Sequence, residues 1–237
     1  MSSVLRFRGR IAGWGTASGT RVVVGRWDAS PFGVFADVMV ERPDGERILL
    51  APAPPVADLV AATYRFDRVE VCPVSVTDLD PEAVIDRPKF SFVRPGLYLG
   101  RPGFYPGRPG VPLAEGVAWR VVAGPLEARL GVGPRTVLGH VLRAVPRRVT
   151  TSRHLTLLTD PVARVLLRGV RTRGSAGLGR TERYGATDVH ALVTADTRWD
   201  GEPLGDLRDV DPPVRFGFGS TPRRPSVTDV VTTIVAR

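Results

Sequence analysis

The stretch ADVMVERPDGERILL, residues 36–50, sets two short arms rich in β-formers either side of Pro43-Asp44-Gly45. Proline suits a turn position with φ near −65°, and glycine accepts the positive φ that follows, so the segment predicts a hairpin. Upstream, LRFRGRI (5–11) alternates Leu5, Phe7 and Ile11 with Arg6, Arg8 and Arg10, the period of a half-buried strand with a basic outer face. A glycine-rich turn, WGTASGT (14–20), leads to a second strand, RVVVGRW (21–27). Downstream, Pro54-Pro55 starts a short helix with Val56, Leu59, Val60 and Thr63 on one face. RVEVCPVSV (68–76) reads as a strand in which Pro73 demands an edge position or a bulge.

Residues 94–114 repeat a heptad, RPGLYLG, RPGFYPG, RPGVPLA, too rich in proline and glycine for a central strand or helix. The span 86–114 is therefore read as a loop inserted in a single domain, 1–237. Beyond it, residues 117–124, 125–133, 180–184, 188–199, 212–220 and 227–237 carry strand patterns, and Asp200-Gly201 turns one pair. RTVLGHVLRAVP (135–146) and DPVARVLLRG (160–169) read as short helices, the second capped by Asp160 and closed by Gly169. About ten strands and three short helices predict an α+β, β-rich fold. Its form is an antiparallel or mixed β-barrel, or a strongly curled sheet, with the helices packed on it. The strand-turn-strand order disfavours a doubly wound nucleotide fold.

Composition narrows the function classes. No apolar run reaches the roughly 20 residues of a membrane span, and the first residues, MSSVLRFRGR, contain no apolar leader, so no membrane partner is expected. Cys72 is alone, which rules out an internal disulfide and suits a reducing, cytoplasmic setting. One cysteine and three scattered histidines argue against a structural zinc site. The net charge of +9 points toward nucleic acid, but Lys89 is the only lysine among 33 basic residues and asparagine and glutamine are absent. A GC-rich coding sequence explains part of that arginine content, and acidic residues are interleaved with it.

The densest chemistry lies in RGVRTRGSAGLGRTERYGATDVH (168–190), with five arginines and five glycines. Glycines let backbone N–H groups turn toward a ligand and arginines offer planar forks, so Arg171, Arg173, Ser175, Gly177, Arg180 and Arg183 form a candidate anion-binding wall. GSAGLG (174–179) does not match a dinucleotide fingerprint, and no cofactor is expected. Glu182, Tyr184 and His190 are the acid/base candidates, with Asp188 placed two residues before His190 so that both point to one side of a strand. Ser175 would complete a triad on paper, without the elbow motif such a nucleophile uses. WDASPFGVFADVMVE (27–41) and FGFGSTPRRPS (216–226) set glycines and aromatics at strand ends, where small residues permit a ligand to approach.

SPFGVFADVMV followed by YRFDRVEVCPVSV resembles the corresponding strands of the acetoacetate decarboxylase-like superfamily, over about a quarter of the chain. The resemblance implies a β-rich closed fold with an internal cavity, and a Pro-Lys element bearing a Schiff-base lysine. Pro88-Lys89 matches that element, which makes Lys89 a further catalytic candidate, since a desolvated lysine can become a nucleophile. The family's aromatic-glycine pair ahead of the lysine, and its second lysine, are missing from DRPKF (86–90).

Two functions follow as expectations. One is binding of a small carboxylate or phosphate ligand in a barrel-like cavity, with enzymatic use left open. The other is an arginine-rich surface for nucleic acid or an acidic partner, drawing on Arg6, Arg8, Arg10, the Arg168–Arg183 cluster and Arg223-Arg224.

Overall fold

The run RVVVG holds the key to the sheet, because a strand apolar at consecutive positions must be covered on both faces. In the computed structural model, which describes residues 4–79, 116–144, 173–175, 181–217 and 221–235, this is the case. Strands β1 (Val4–Thr16), β2 (Arg21–Ala29), β3 (Phe35–Glu41) and β4 (Arg47–Ala51) form an antiparallel meander. Val22 and Val24 face one core, while Val23 and Gly25 face a cleft on the other side. The predicted hairpin joins β3 to β4, with Gly45 at φ +93°.

Chain direction then changes. Helix α1 (Pro54–Thr63) carries the chain across to β5 (Arg68–Val71), which pairs with β4 in parallel. The expected single strand over 68–76 is broken at Cys72-Pro73: β6 (Val74–Leu79) leaves β5 and pairs with β7 (Ala118–Ala123) instead. Proline has no N–H to continue the ladder, so the break falls where the chain can change neighbours. β8 (Leu126–Arg135), helix α2 (Val137–Ala144), β9 (Arg173–Ser175) and β10 (Thr181–Trp199) follow. The short β11 (Glu202–Pro203) and β12 (Leu207–Arg208) precede the last strand, β13 (Ser226–Val235).

The strand order is β5-β4-β3-β2-β1-β13-β10-β8-β7-β6. Strands consecutive in sequence, β5 and β6, thus end the sheet at opposite edges, which rolls it into a strongly curled, open half-barrel. Across the seam, Arg26 of β2 donates two hydrogen bonds to Asp78 of β6, at 2.6 and 3.0 Å, and its guanidinium stands over the Trp119 ring. The interior is filled by Trp14, Val38, Ile48, Leu50, Trp119 and Leu130, none more than 1% exposed. Each such side chain contributes about 1.5–3 kcal/mol by leaving water. Trp14 meets its polar need inside by donating to Thr197 Oγ1 at 3.0 Å.

On the opposite face, α1 lays Val56, Ala57 and Val60 over Leu49 and Ala51. Two helices are present among the described residues, at the first two predicted places. The third, over 160–169, and the heptad segment 94–114 lie outside the described residues. Three further expectations are corrected. WGT belongs to β1, and the turn begins after it. The strand patterns over 180–184 and 188–199 merge into β10, which continues past a register shift between Ala186 and Asp188. Residues 212–217 form no strand, because Pro212-Pro213 lack the donors a ladder needs. They run instead as a covering segment pinned by the fully buried Glu41, which accepts from the Arg215 backbone and side chain, both at 2.7 Å, and pairs with Arg21 at 2.9 Å.

Candidate functional site

The face under α1 holds a cleft that is partly open to solvent. Its floor is sheet: Phe7 and Ile11 from β1, Val23 and Trp27 from β2, and Phe35, Asp37 and Met39 from β3. Glu182 and Tyr184 of β10 and Thr232 and Ile234 of β13 extend it. Leu59, Val60 and Thr63 of α1 and its C-cap Tyr64 wall one side, and Val214, Phe216 and Gly217 of the covering segment, with Thr221, wall another. Phe7 meets Trp27 and Phe35 edge-on, with centroids 5.6 and 6.5 Å apart. Most of the lining is apolar or aromatic, as in a small-molecule site.

Local sequence explains how the polar groups are placed. Tyr64 is the C-cap of α1, in extended backbone, so the chain leaves the helix there and the ring enters the cleft. Gly217 makes room for it: a Cβ at 217 would stand 2.8 Å from Tyr64 Cδ1. The Tyr64 hydroxyl donates to Glu182 Oε2 at 2.8 Å and is hydrogen-bonded to the Tyr184 hydroxyl, which also reaches Glu182. Across the floor, the Trp27 indole N–H donates to Asp37 Oδ1 at 2.8 Å. The Thr232 hydroxyl, in a residue 2% exposed, has no hydrogen-bond partner among the described residues.

The two carboxyls are buried, Asp37 to 2% exposed and Glu182 to 3%, and neither forms an ion pair among the described residues. Burial raises Asp37 to about 6, against the lowering effect of the Trp27 hydrogen bond. Burial raises Glu182 to about 7; the tyrosine hydrogen bonds oppose this and the Asp37 charge adds to it. Burial also holds Tyr64 well above the usual phenol value, helped by Tyr184 and Glu182, so it remains a donor. A carboxyl that gains and loses its proton near neutrality, beside two phenols, is suited to general acid/base work.

Of the residues singled out from sequence, Glu182 and Tyr184 come together in this cleft. His190 does not line it. It is buried further along β10, its Nδ1 4.0 Å from Asp188 Oδ1. Asp188 is held there by Arg135 of β8 at 2.8 Å and by Arg143 of α2 at 3.5 Å. Its carboxyl lies below its usual value: burial works upward, but the Arg135 hydrogen bond, the neighbouring His190 and the Val189 N–H outweigh it. Arg173 and Ser175 lie on β9, opposite Arg183 and Thr181 of β10. Ser175 is thus roughly 20 Å of strand from Asp188, and the paper triad is not assembled. Lys89, Arg171, Gly177 and Arg180 lie outside the described residues.

Sequence reading missed Asp37, Trp27 and Tyr64. The signal for Asp37 was a carboxylate in the middle of the apolar strand FADVMVE. Comparison with family models, curated proteins and solved structures finds no match, so the site is read from its own geometry.

Proposed function

We propose that the chain binds a small, largely apolar organic molecule in the cleft between α1 and the sheet, with Glu182 as the group that exchanges a proton with it. The observation that carries this is the hydrogen-bonded set Tyr64–Glu182–Tyr184 inside an aromatic cleft, with the Glu182 carboxyl poised near neutrality. Asp37, fixed by Trp27, is the second polar anchor. The resemblance to the acetoacetate decarboxylase-like superfamily implies a closed β-rich fold with an internal cavity and a lysine nucleophile; the described sheet is an open half-barrel, and Lys89 lies outside the described residues. The carboxylate and phosphate ligands expected from the arginine window draw no support from this cleft, whose described lining offers carboxyls and phenols and no guanidinium.

A polyanion surface is the weaker reading. Arg10, Arg21, Arg26, Arg47, Arg135 and Arg223 are each engaged by an acidic side chain of the fold, which spends their charge internally. Thermal melts test the proposal with alcohols, ketones, amines and carboxylates built on one phenylalkyl skeleton. At least one should raise Tm in the native chain and fail to do so in Leu59→Trp, whose indole fills the cleft. A panel that leaves Tm unchanged in both proteins overturns it.

A further inference from the structure

The cleft carboxyls differ from the other buried carboxyls described in this fold in one respect. Glu41, fully buried, is matched by Arg21 and Arg215. Asp188 is matched by Arg135 and Arg143, and the less deeply buried Asp229 by Arg10 at 2.9 Å. This is the expected pattern, because a buried charge is costly unless it is paired. Asp37 and Glu182 break it: their hydrogen-bond partners are an indole and two phenols, and no cation of the described chain reaches either.

What surrounds these two carboxyls is suited to a cation from outside. Phe7, Trp27, Phe35, Tyr64 and Tyr184 line the same cleft, and aromatic faces attract ammonium groups within about 6 Å. The Thr232 hydroxyl, buried and unpartnered among the described residues, adds an acceptor on the floor. Asp37, Glu182 and Thr232 line the cleft together with Val23, Met39 and Leu59, so an ammonium head finds acceptors there and its apolar body an apolar wall.

We infer that the cleft takes an organic ammonium ion, a protonated amine carried on an aromatic or branched-alkyl body. This rests on the proposed cleft function and specifies its ligand class. The titratable groups facing the cleft are Asp37 from β3, Glu182 and Tyr184 from β10, and Tyr64 from the end of α1. β1, β2 and β13 contribute apolar side chains and the Thr232 hydroxyl, and Arg215 of the covering segment is engaged by Glu41. Below the range where Asp37 and Glu182 ionise, near 6 and 7, both are neutral and the attraction for a cation fades. An ammonium bound between them also drives off the protons they hold.

Calorimetric titration with 2-phenylethylamine, its neutral isostere 2-phenylethanol and 3-phenylpropanoate tests this at about pH 7.5 and pH 5. The amine should bind at least about tenfold tighter than the alcohol at the higher pH, with the preference falling below about threefold at the lower. Its binding near pH 6.5 should release protons to the buffer. The double variant Asp37→Asn/Glu182→Gln should lose the amine preference while still binding the alcohol, which also reports that it is folded. Equal or tighter binding of the alcohol by the native chain at both pH values overturns the ammonium inference and leaves the cleft as a ligand site. Tightest binding of the carboxylate overturns it in favour of an anion. Failure of all three probes overturns it together with the cleft function.

Discussion

Gly25 lies under the hydrogen bond that orients Asp37, and a β-carbon there would stand 2.5 Å from Asp37 Oδ1 and 2.6 Å from Trp27 Nε1. Both partners are held by the sheet, so neither can retreat cheaply. Gly25→Ala should lower stability by about 1–3 kcal/mol in urea unfolding and weaken any cleft ligand, because it pushes apart a buried pair. Unchanged unfolding and binding would show that the indole–carboxyl contact is dispensable. The neighbouring Glu182 gives a prediction in pH. Its folded pKa, about 7, lies above the ordinary glutamate value of 4.5, so the stabilising balance is intact below pH 4.5 and is lost as pH rises to 7. A shift of that size corresponds to about 3 kcal/mol. Glu182→Gln keeps an acceptor for Tyr64 and removes the charge. It should therefore be more stable than the native chain above about pH 7.5, by about 1–3 kcal/mol, with the gain vanishing near pH 4. A constant difference across that range would contradict the raised pKa.

β10 carries two separate buried polar clusters, Glu182 and Tyr184 in the cleft and Asp188 beneath α2. Asp188 gathers Arg135 from β8 and Arg143 from α2, so it ties helix to sheet. Asp188→Ala leaves that arrangement without its anion and should cost about 3 kcal/mol, with faster hydrogen exchange across α2. Because its folded pKa is lowered, the native contribution is present above pH 3.8 and fades as pH falls through the folded value. Strand and helix identity was largely legible from period and turn chemistry: β1 to β4, α1, α2, β7, β8 and β13 lie where alternation and glycine or proline punctuation put them. The break at Cys72-Pro73 was legible as a proline irregularity. Its consequence was not, because which neighbour each half takes is decided by long-range pairing. The cleft was half legible. Both segments flagged for small residues at strand ends, 27–41 and 216–226, line it, as do Glu182 and Tyr184. Asp37 and Tyr64 stayed hidden, since only packing turns an isolated carboxylate and a helix-capping phenol into partners of a common cavity.

At the scale of the whole molecule, the half-barrel separates two kinds of interior. The rolled face is filled by large apolar side chains, while the face under α1 keeps space and buried ionisable groups. A ligand of the apolar cleft should keep most of its affinity when salt is raised to about 0.5 M, whereas oligonucleotide binding by the basic surface should fall at least about tenfold. The four tryptophans divide along the same line: Trp14, Trp119 and Trp199 belong to the rolled core, and Trp27 alone lines the cleft. Its indole N–H, which points at Asp37, is therefore the reporter to watch. We would record the tryptophan indole resonances of the ¹⁵N-labelled chain during titration with 2-phenylethylamine and 2-phenylethanol, assigning Trp27 by Trp27→Phe. Movement of the Trp27 resonance, with the three core indoles unmoved, is the predicted result. A Trp27 signal that stays in place through saturating additions of both would contradict the assignment of the cleft as the functional site.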